Sequence, residues 1–211
     1  MKIIGLYKGK LTHIGEKRSA TGIDKQAVST VTVDELGIQG DIQADKRFHG
    51  GPQKALHQYA LRSYEKIIKR YPLLHKQARP GMIGENLSAK GMHEHNVCIG
   101  DIYNLGSAIV QISSPRIPCW KIDAKFKQPD LNRFISQHRL NGWYYRVLQG
   151  GEITLNDEFQ LQQRPNAQVT VDTMLKVIYA ETDAQTIELA THAEGLDPEW
   201  QSRLQNKYHM T

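Results

Sequence analysis

Short runs of alternating or apolar residues, cut apart by glycines, fill the first three quarters of the chain and restrict its fold more than any other feature. Val97–Leu105 and Ala108–Ser113 flank Gly106-Ser107 and read as a β-hairpin. Trp143–Leu148 and Glu152–Thr154 flank Gln149-Gly150-Gly151 and read as a second one. Lys2–Tyr7, Ala27–Val33 and Glu158–Gln162 complete the strand set. Helical periodicity in this part is confined to two segments. One is Leu61–Tyr71, where Leu61, Tyr64, Ile67, Ile68 and Tyr71 share a face, and the other is a short stretch near Leu131–Gln137. Many short strands with few helices favour a mainly β (α+β) fold built on a closed or nearly closed β-barrel.

The pattern changes at Arg164-Pro165-Asn166. Thr170 or Asp172 can start a helix through Tyr179, and Asp183 can cap another that Gly195 ends. Asp197-Pro198-Glu199 offers a cap, a proline for the first helical position and an acid in the first turn. The expected organisation is a barrel over residues 1–164 and a three-helix unit over 165–211. So short a bundle builds a weak core alone, so it should pack on the barrel as a cap. A helix-turn-helix reader of nucleic acid would need a basic recognition helix. Ser202–Tyr208 offers only Arg203 and Lys207, so nucleic acid is not an expected partner.

The 211 residues are 39% hydrophobic and 23% charged, a globular composition and not a disordered one. Apolar runs such as Ala108-Ile109-Val110 fall far short of the roughly 18 residues a membrane span needs. Met1-Lys2-Ile3-Ile4-Gly5-Leu6 reads as a strand and not as a signal peptide, so a cytoplasmic location without membrane contact is expected. Cys98 and Cys119 are too few for a disulfide scaffold and are expected as thiols. Against 22 acidic residues, 27 basic ones leave a formal charge of +5. That surplus suits an anionic partner without selecting one.

Chemistry concentrates in two places. Between Leu36 and Leu56, Lys46, Arg47, His49, Gly50 and Gly51 combine charge with glycines that let backbone amides face a phosphate. The spacing matches neither a Walker loop nor a dinucleotide fingerprint. The second place is Cys119, which follows Ser113-Ser114-Pro115-Arg116-Ile117-Pro118. Two prolines force an extended corner, and Arg116 and Lys121 place cations near a thiol that can act as nucleophile or soft metal ligand. Cys98, inside Val97-Cys98-Ile99, reads as a small buried hydrophobe. His93-Glu94-His95 reads as surface histidine, since no HExxH or CxxC accompanies it, and no GxSxG supports a serine hydrolase.

Five motifs occur in order: Asp41-Ile42-Gln43-Ala44-Asp45-Lys46 with His49-Gly50-Gly51-Pro52; Gly84-Glu85-Asn86-Leu87-Ser88; Ile99-Gly100-Asp101; Gln111–Cys119; and Gly142-Trp143-Tyr144. Together they resemble the MOSC domain, named for the C-terminal region of molybdenum cofactor sulfurase, in the form that a small three-helix domain follows. The resemblance spans residues 36 to 148. It implies a β-barrel that binds the molybdenum cofactor, a pterin dithiolene with a phosphate tail, and Cys119 as the molybdenum ligand and catalytic residue. It further implies reduction of N-hydroxylated compounds such as 6-hydroxylaminopurine, a detoxification of base analogues.

On that reading Lys46, Arg47, His49, Gly50, Gly51, Asn86, Arg116 and Lys121 are candidate cofactor contacts, with Asp41 and Glu85 as loop braces or ligand contacts. Two cysteines cannot hold an iron–sulfur cluster, and no flavin or haem signature occurs, so a separate electron-donor protein is expected. A non-catalytic carrier of persulfide sulfur, or of the cofactor, on Cys119 is the competing expectation. Oligomeric state, a homodimer included, is left open.

Overall fold

Gly106 takes φ +57, and the strands beside it pair antiparallel from Ala108 with Leu105 to Gln111 with Ile102, as the alternation requires. The computed structural model describes residues 1–43, 50–179 and 182–210. The chain runs through β1 (Ile3–Gly9), β2 (Thr12–Ile14), β3 (Ser19–Thr21), β4 (Lys25–Ala27), β5 (Thr30–Asp34) and β6 (Gly37–Ile38). It continues through β7 (Leu56–Gln58), α1 (Leu61–Arg70), β8 (Leu87–Ala89), β9 (Ile102–Leu105), β10 (Ala108–Pro115), α2 (Trp120–Phe126) and α3 (Leu131–Gln137). β11 (Trp143–Gln149), β12 (Gly151–Thr154), β13 (Gln160–Gln163), α4 (Val171–Tyr179), α5 (Ala184–Thr191) and α6 (Pro198–Tyr208) follow.

An eight-stranded sheet of order β13-β9-β10-β11-β7-β8-β1-β4 curls into a half-barrel. β12-β5-β6 form a second sheet and β2-β3 a separate hairpin. The mainly β class with added helices is the architecture found; the expected strand Val97–Leu105 is confined to β9, with Cys98 held only by an isolated bridge to Thr170, and three further details differ from the sequence reading.

The expected strand Ala27–Val33 is two strands, because β4 pairs with β1 while β5 pairs with β12. The second expected hairpin does not form: β11 lies between β10 and β7, and β12 joins the other sheet. A Cβ at Gly150 would sit 2.8 Å from the Val33 carbonyl oxygen, and one at Gly151 2.6 Å from the Ser107 carbonyl carbon. Those glycines carry the chain across a crowded gap between sheets instead of turning it back. The third detail is α2, which no expectation covered. Its Ile122 and Phe126 are four apart and buried, but the preceding prolines mask so short a period.

The C-terminal helices begin as their caps indicate. Asp183 accepts a hydrogen bond from the Thr186 amide (2.8 Å), and Asp197 accepts from the Glu199 amide (2.9 Å) with Pro198 opening α6. Val171, Met174, Leu175 and Leu204 share one continuous core with Val110, Ile112, Trp143 and Tyr145 of the sheet. α1, α2 and α3 close a second core through Ile67, Ile122, Phe126 and Ile135.

Asp172, in the first turn of α4, joins the sheet side to the helices. Arg139 donates to it through Nε (2.6 Å), and His95 and Lys176 lie 3.4 and 3.3 Å away. Burial works against its charge, but the Arg139 bond and these cations outweigh burial and hold the carboxyl below its ordinary range. A depressed folded value means stability is present above the unfolded carboxylate value of about 3.9 and is lost as pH falls through the folded one. Thermal melts of wild type and Asp172→Asn should therefore differ at neutral pH and converge below about pH 4. A constant difference across that window would contradict the assignment.

Candidate active site

Pro115 is the last residue of β10 and pairs with Trp143. The corner after it is bolted in place: the Arg116 amide donates to the Gly142 carbonyl (3.1 Å), and Asn141 Nδ2 donates to the Arg116 carbonyl (2.8 Å). Cys119 follows at φ −129, ψ 166, extended, directly before α2. It is half-buried with a free thiol. Both prolines and the short helix thus fix where the sulfur points from.

A cavity of about 80 Å³ opens beside it. Thr21–Ile23, Ile42–Gln43 and Ile83–Gly84 form part of its wall, together with the polar residues Lys25, Asp41, His57, Asn86, Arg116 and Tyr144. Asp41 is the brace beneath. Its carboxylate receives Lys25 Nζ (2.7 and 2.9 Å), Asn86 Nδ2 (2.9 Å) and the Gly9 amide. Burial pushes the Lys25 ammonium down from its usual value, with Asp41 opposing that shift. Glu85, fully buried, accepts from Tyr64 (2.6 Å), the Gly81 amide (2.7 Å) and the Ile83 amide (3.1 Å), fixing the Gly81–Gly84 wall. Both acids therefore brace loops.

The site residues read from sequence separate into three groups. Arg116, Cys119, Lys121 and Asn86 line this one cavity. Their freedom differs. Asn86 Oδ1 accepts from the His57 amide (3.1 Å), and its Nδ2 serves Asp41 and the Tyr7 carbonyl, so the protein itself occupies both ends of that amide. Lys121 Nζ donates to the Ala20 carbonyl (2.9 Å). Arg116 is 5% exposed, and its buried Nη1 has no hydrogen-bond partner among the described residues.

Gly50 and Gly51 form the second group and do not line the cavity. Gly51, at φ +88, instead opens the 3₁₀ turn Pro52–Lys54, which carries Lys54 to the site. Lys46, Arg47 and His49 make the third group and lie outside the described residues.

Sequence reasoning missed Lys25, Lys54, His57 and Tyr144 as lining residues. Tyr144 had a signal in the Gly142-Trp143-Tyr144 motif. Burial raises its phenol above the ordinary value, Cys119 adding to the shift and Arg116 opposing it, so the hydroxyl keeps its proton at neutral pH. The other three sit in segments without a distinguishing pattern.

A second, larger cleft of about 430 Å³ adjoins the first. Lys54, Cys119, Lys121 and Tyr144 belong to both. Its remaining walls are the apolar corner Pro115, Ile117 and Pro118, then Trp120, and from α6 Glu199, Trp200 and Arg203. Cys119 therefore stands on the wall between a small cationic cavity and a broader apolar one.

Cys98 is 1% exposed, and burial, with Asp101 beside it, raises its thiol. His95 is exposed and contacts Asp172. Among the described residues no group of three or more His, Cys, Asp or Glu is gathered to hold a metal. Among the same residues no helix is long and apolar enough to cross a membrane.

Residues 45–160 match the MOSC domain family. The chain is 28% identical over 204 residues to Protein YiiM of Escherichia coli (strain K12), covering 97% of this chain and 91% of that protein. It is 32% identical over 209 residues to the uncharacterized protein YflK of Bacillus subtilis (strain 168), covering 97% and 92%. A protein named Reductase from Gibberella moniliformis (strain M3125 / FGSC 7600) is 39% identical over 146 residues, 68% of this chain but only 26% of that protein.

Crystal structures of YiiM from Escherichia coli and from Geobacillus stearothermophilus superpose with TM-scores of 0.81 and 0.80. They share 27% and 29% identity with this chain and cover 98% and 99% of it, and 92% and 98% of their own chains. Sequence match, shared architecture and the in-order motifs agree: the chain belongs to the MOSC domain family.

Proposed function

We propose that this protein is a molybdenum-cofactor-dependent reductase of N-hydroxylated compounds, with Cys119 as the metal ligand. The carrying observation is the position of Cys119 between two clefts, one cationic and one apolar. A carrier of sulfur or cofactor needs an accessible thiol and one binding surface. A two-substrate redox site needs room for cofactor and substrate on opposite sides of the same ligand. The partial match to a protein named Reductase supports the same class.

The residues fit the group. Arg116 Nη1, buried and without a hydrogen-bond partner among the described residues, suits an acceptor such as a phosphate or pterin oxygen, and a guanidinium offers fork geometry for it. Lys121 and Lys54 add charge on the shared wall. Asn86 holds the floor through Asp41 and His57 instead of spending its amide on ligand.

When bound, the molybdenum–pterin group supplies the two-electron chemistry of N–O cleavage, R–NHOH + 2H⁺ + 2e⁻ → R–NH₂ + H₂O. Cys119 Sγ anchors it, the corner keeps the sulfur fixed, and Tyr144 holds a phenolic proton at the junction of the clefts. The electrons come from a separate donor protein, and a cytoplasmic location suits both donor and thiol.

Metal analysis of protein purified from a cofactor-competent host, together with assays on an N-hydroxylated purine, tests this reading. Molybdenum near one per chain with N–O reduction is the expected result. Protein that carries the cofactor yet reduces no N-hydroxylated compound with any donor overturns it. Arg116→Met should weaken cofactor retention about tenfold or more, the usual worth of a hydrogen bond to a charged group.

A further inference from the structure

β2 and β3 form a hairpin that joins neither larger sheet. It lies along α2, the helix that starts directly after Cys119. Lys121 Nζ donates to the Ala20 carbonyl (2.9 Å), and Lys125 Nζ donates to the Ile23 carbonyl (2.9 Å) and pairs with Asp24 (3.1 Å). At the hairpin turn, a Cβ on Gly15 would sit 3.0 Å from the Trp120 ring. Trp120 is 48% exposed, and Leu11 at the base of the hairpin is exposed as well. Hairpin and helix thus make one outward surface, and a single peptide bond joins its indole residue to Cys119.

The charge of this surface is lopsided. Residues 10–24 and 120–127 hold six Lys or Arg against three acids, so they carry three of the chain's five surplus positive charges. Asp24 is spent on Lys125, and Asp123 accepts from the Asn132 amide (2.6 Å). Lys10, Lys17, Arg18 and Lys127 are exposed, and among the described residues none of them is in an ion pair. Two of these cations stand where glycine would be less strained. Arg18 takes φ +47 at the hairpin turn, and Lys127 takes φ +50 at the end of α2. The third Lys or Arg in that left-handed region, Arg139, holds the buried Asp172 carboxylate. Lys127 gains from the helix dipole at its end of α2. Arg18 has neither compensation, and its charge faces solvent.

We infer that the β2–β3 hairpin and α2 are the docking face for the electron donor, and that this donor is an acidic one-electron redox protein. The inference rests on the reductase reading above and names the partner and the place which that reading leaves open. Exposed cations around the apolar Trp120 and Leu11 fit a weak, fast encounter, in which charge sets the on-rate and the orientation. A nucleic acid would meet the same cations but has no electrons to deliver beside Cys119. Two successive encounters balance the reaction. Each reduced donor gives up one electron, and two electrons with two protons from solvent cleave one N–O bond.

Amide resonances of the purified wild-type protein, titrated with oxidised two-iron ferredoxin of the plant type, test the placement. That ferredoxin is an acidic one-electron carrier, and cytochrome c serves as the basic control. Saturable shifts confined to residues 10–21 and 120–127 are expected, lost at about 0.5 M salt and absent with cytochrome c. Arg18→Glu combined with Lys127→Glu should slow ferredoxin-driven reduction of an N-hydroxylated purine about tenfold or more at low salt. Reduction driven by dithionite, which needs no docking, should be unchanged. Arg18→Gly combined with Lys127→Gly removes both charges and relieves both backbones. It should melt no lower than wild type and still bind ferredoxin more weakly.

No saturable shift, shifts elsewhere on the protein, an equal response to cytochrome c or to duplex DNA, or unchanged ferredoxin affinity in the glycine variant each overturns the inference. Dithionite-driven reduction with an unaltered ferredoxin-driven rate in the glutamate variant also overturns it and leaves the reductase reading standing. The wild-type shifts depend on no variant folding and need no molybdenum. Ferredoxin shifts at this face, in protein that reduces no N-hydroxylated compound with either electron source, would sink the reductase reading and leave the docking face in place.

Discussion

Cys119→Ala is expected to lose molybdenum and N–O reduction together, with activity down at least about 100-fold. That figure is the upper end of what losing even an outer-sphere partner costs a metal site, and a direct ligand costs no less. The fold should not change. The Cys119 side chain makes no capping hydrogen bond to α2 and is half-buried, so its removal leaves neither a buried polar orphan nor a sizeable cavity. Thermal melts should therefore coincide with wild type while metal content falls. Serine at 119 should behave like alanine, because a hard oxygen replaces a soft thiolate. Full reduction by the alanine variant would refute the role. Added sulfur on wild-type Cys119 after treatment with a cysteine desulfurase, in protein that binds no molybdenum, would move the site to the carrier reading.

The second large effect is on stability. Asp101 is fully buried and accepts from the Cys98 amide (2.9 Å), Tyr103 (2.8 Å) and both Arg164 Nε (2.9 Å) and Nη2 (2.7 Å). Arg164 stands at the point where the strand pattern ends, so this carboxylate clasps the sheet to the segment leading into the helices. Its bond raises the guanidinium above its ordinary value, and burial, with Asp101 beside it, raises the Tyr103 phenol. Asp101→Ala should lower unfolding free energy by about 2–6 kcal/mol, because the buried Cys98 amide and Tyr103 hydroxyl both lose their acceptor at about 1–3 kcal/mol each, while the freed Arg164 guanidinium reaches solvent. Urea denaturation reads it directly. A loss under about 1 kcal/mol would mean water replaces the carboxylate at little cost. Such water access would make the clasp ornamental.

What could be read in advance follows the range of the forces involved. The Gly106-Ser107 hairpin and the caps at Asp183 and Asp197 are local, each decided within about four residues, and all appear where the pattern puts them. Where β12 goes is not local. Its pairing with β5 joins residues more than a hundred positions apart, and Gly150-Gly151 looks like any hairpin turn until the crowding at Val33 and Ser107 is seen. The same holds at the site. Cys119, Arg116 and Lys121 are neighbours in sequence and lie together in the structure. Lys25, Lys54 and His57 reach the cavity from three other elements and carry no individual mark. Asn86 was legible as a site residue but not in its role, since only the fold shows its amide spent on Asp41 and His57.

Strand alternation, glycine turns, helix caps and a thiol behind two prolines were written into neighbouring residues, so the sequence alone determined the class of fold and marked Cys119 as the candidate thiol. Tertiary structure decided the rest. Which strands meet, which cation keeps an unspent hydrogen, and which helix shares a cleft with Cys119 all depend on contacts between distant segments. Those contacts exist only once a common core has drawn the segments together, and no local propensity encodes them.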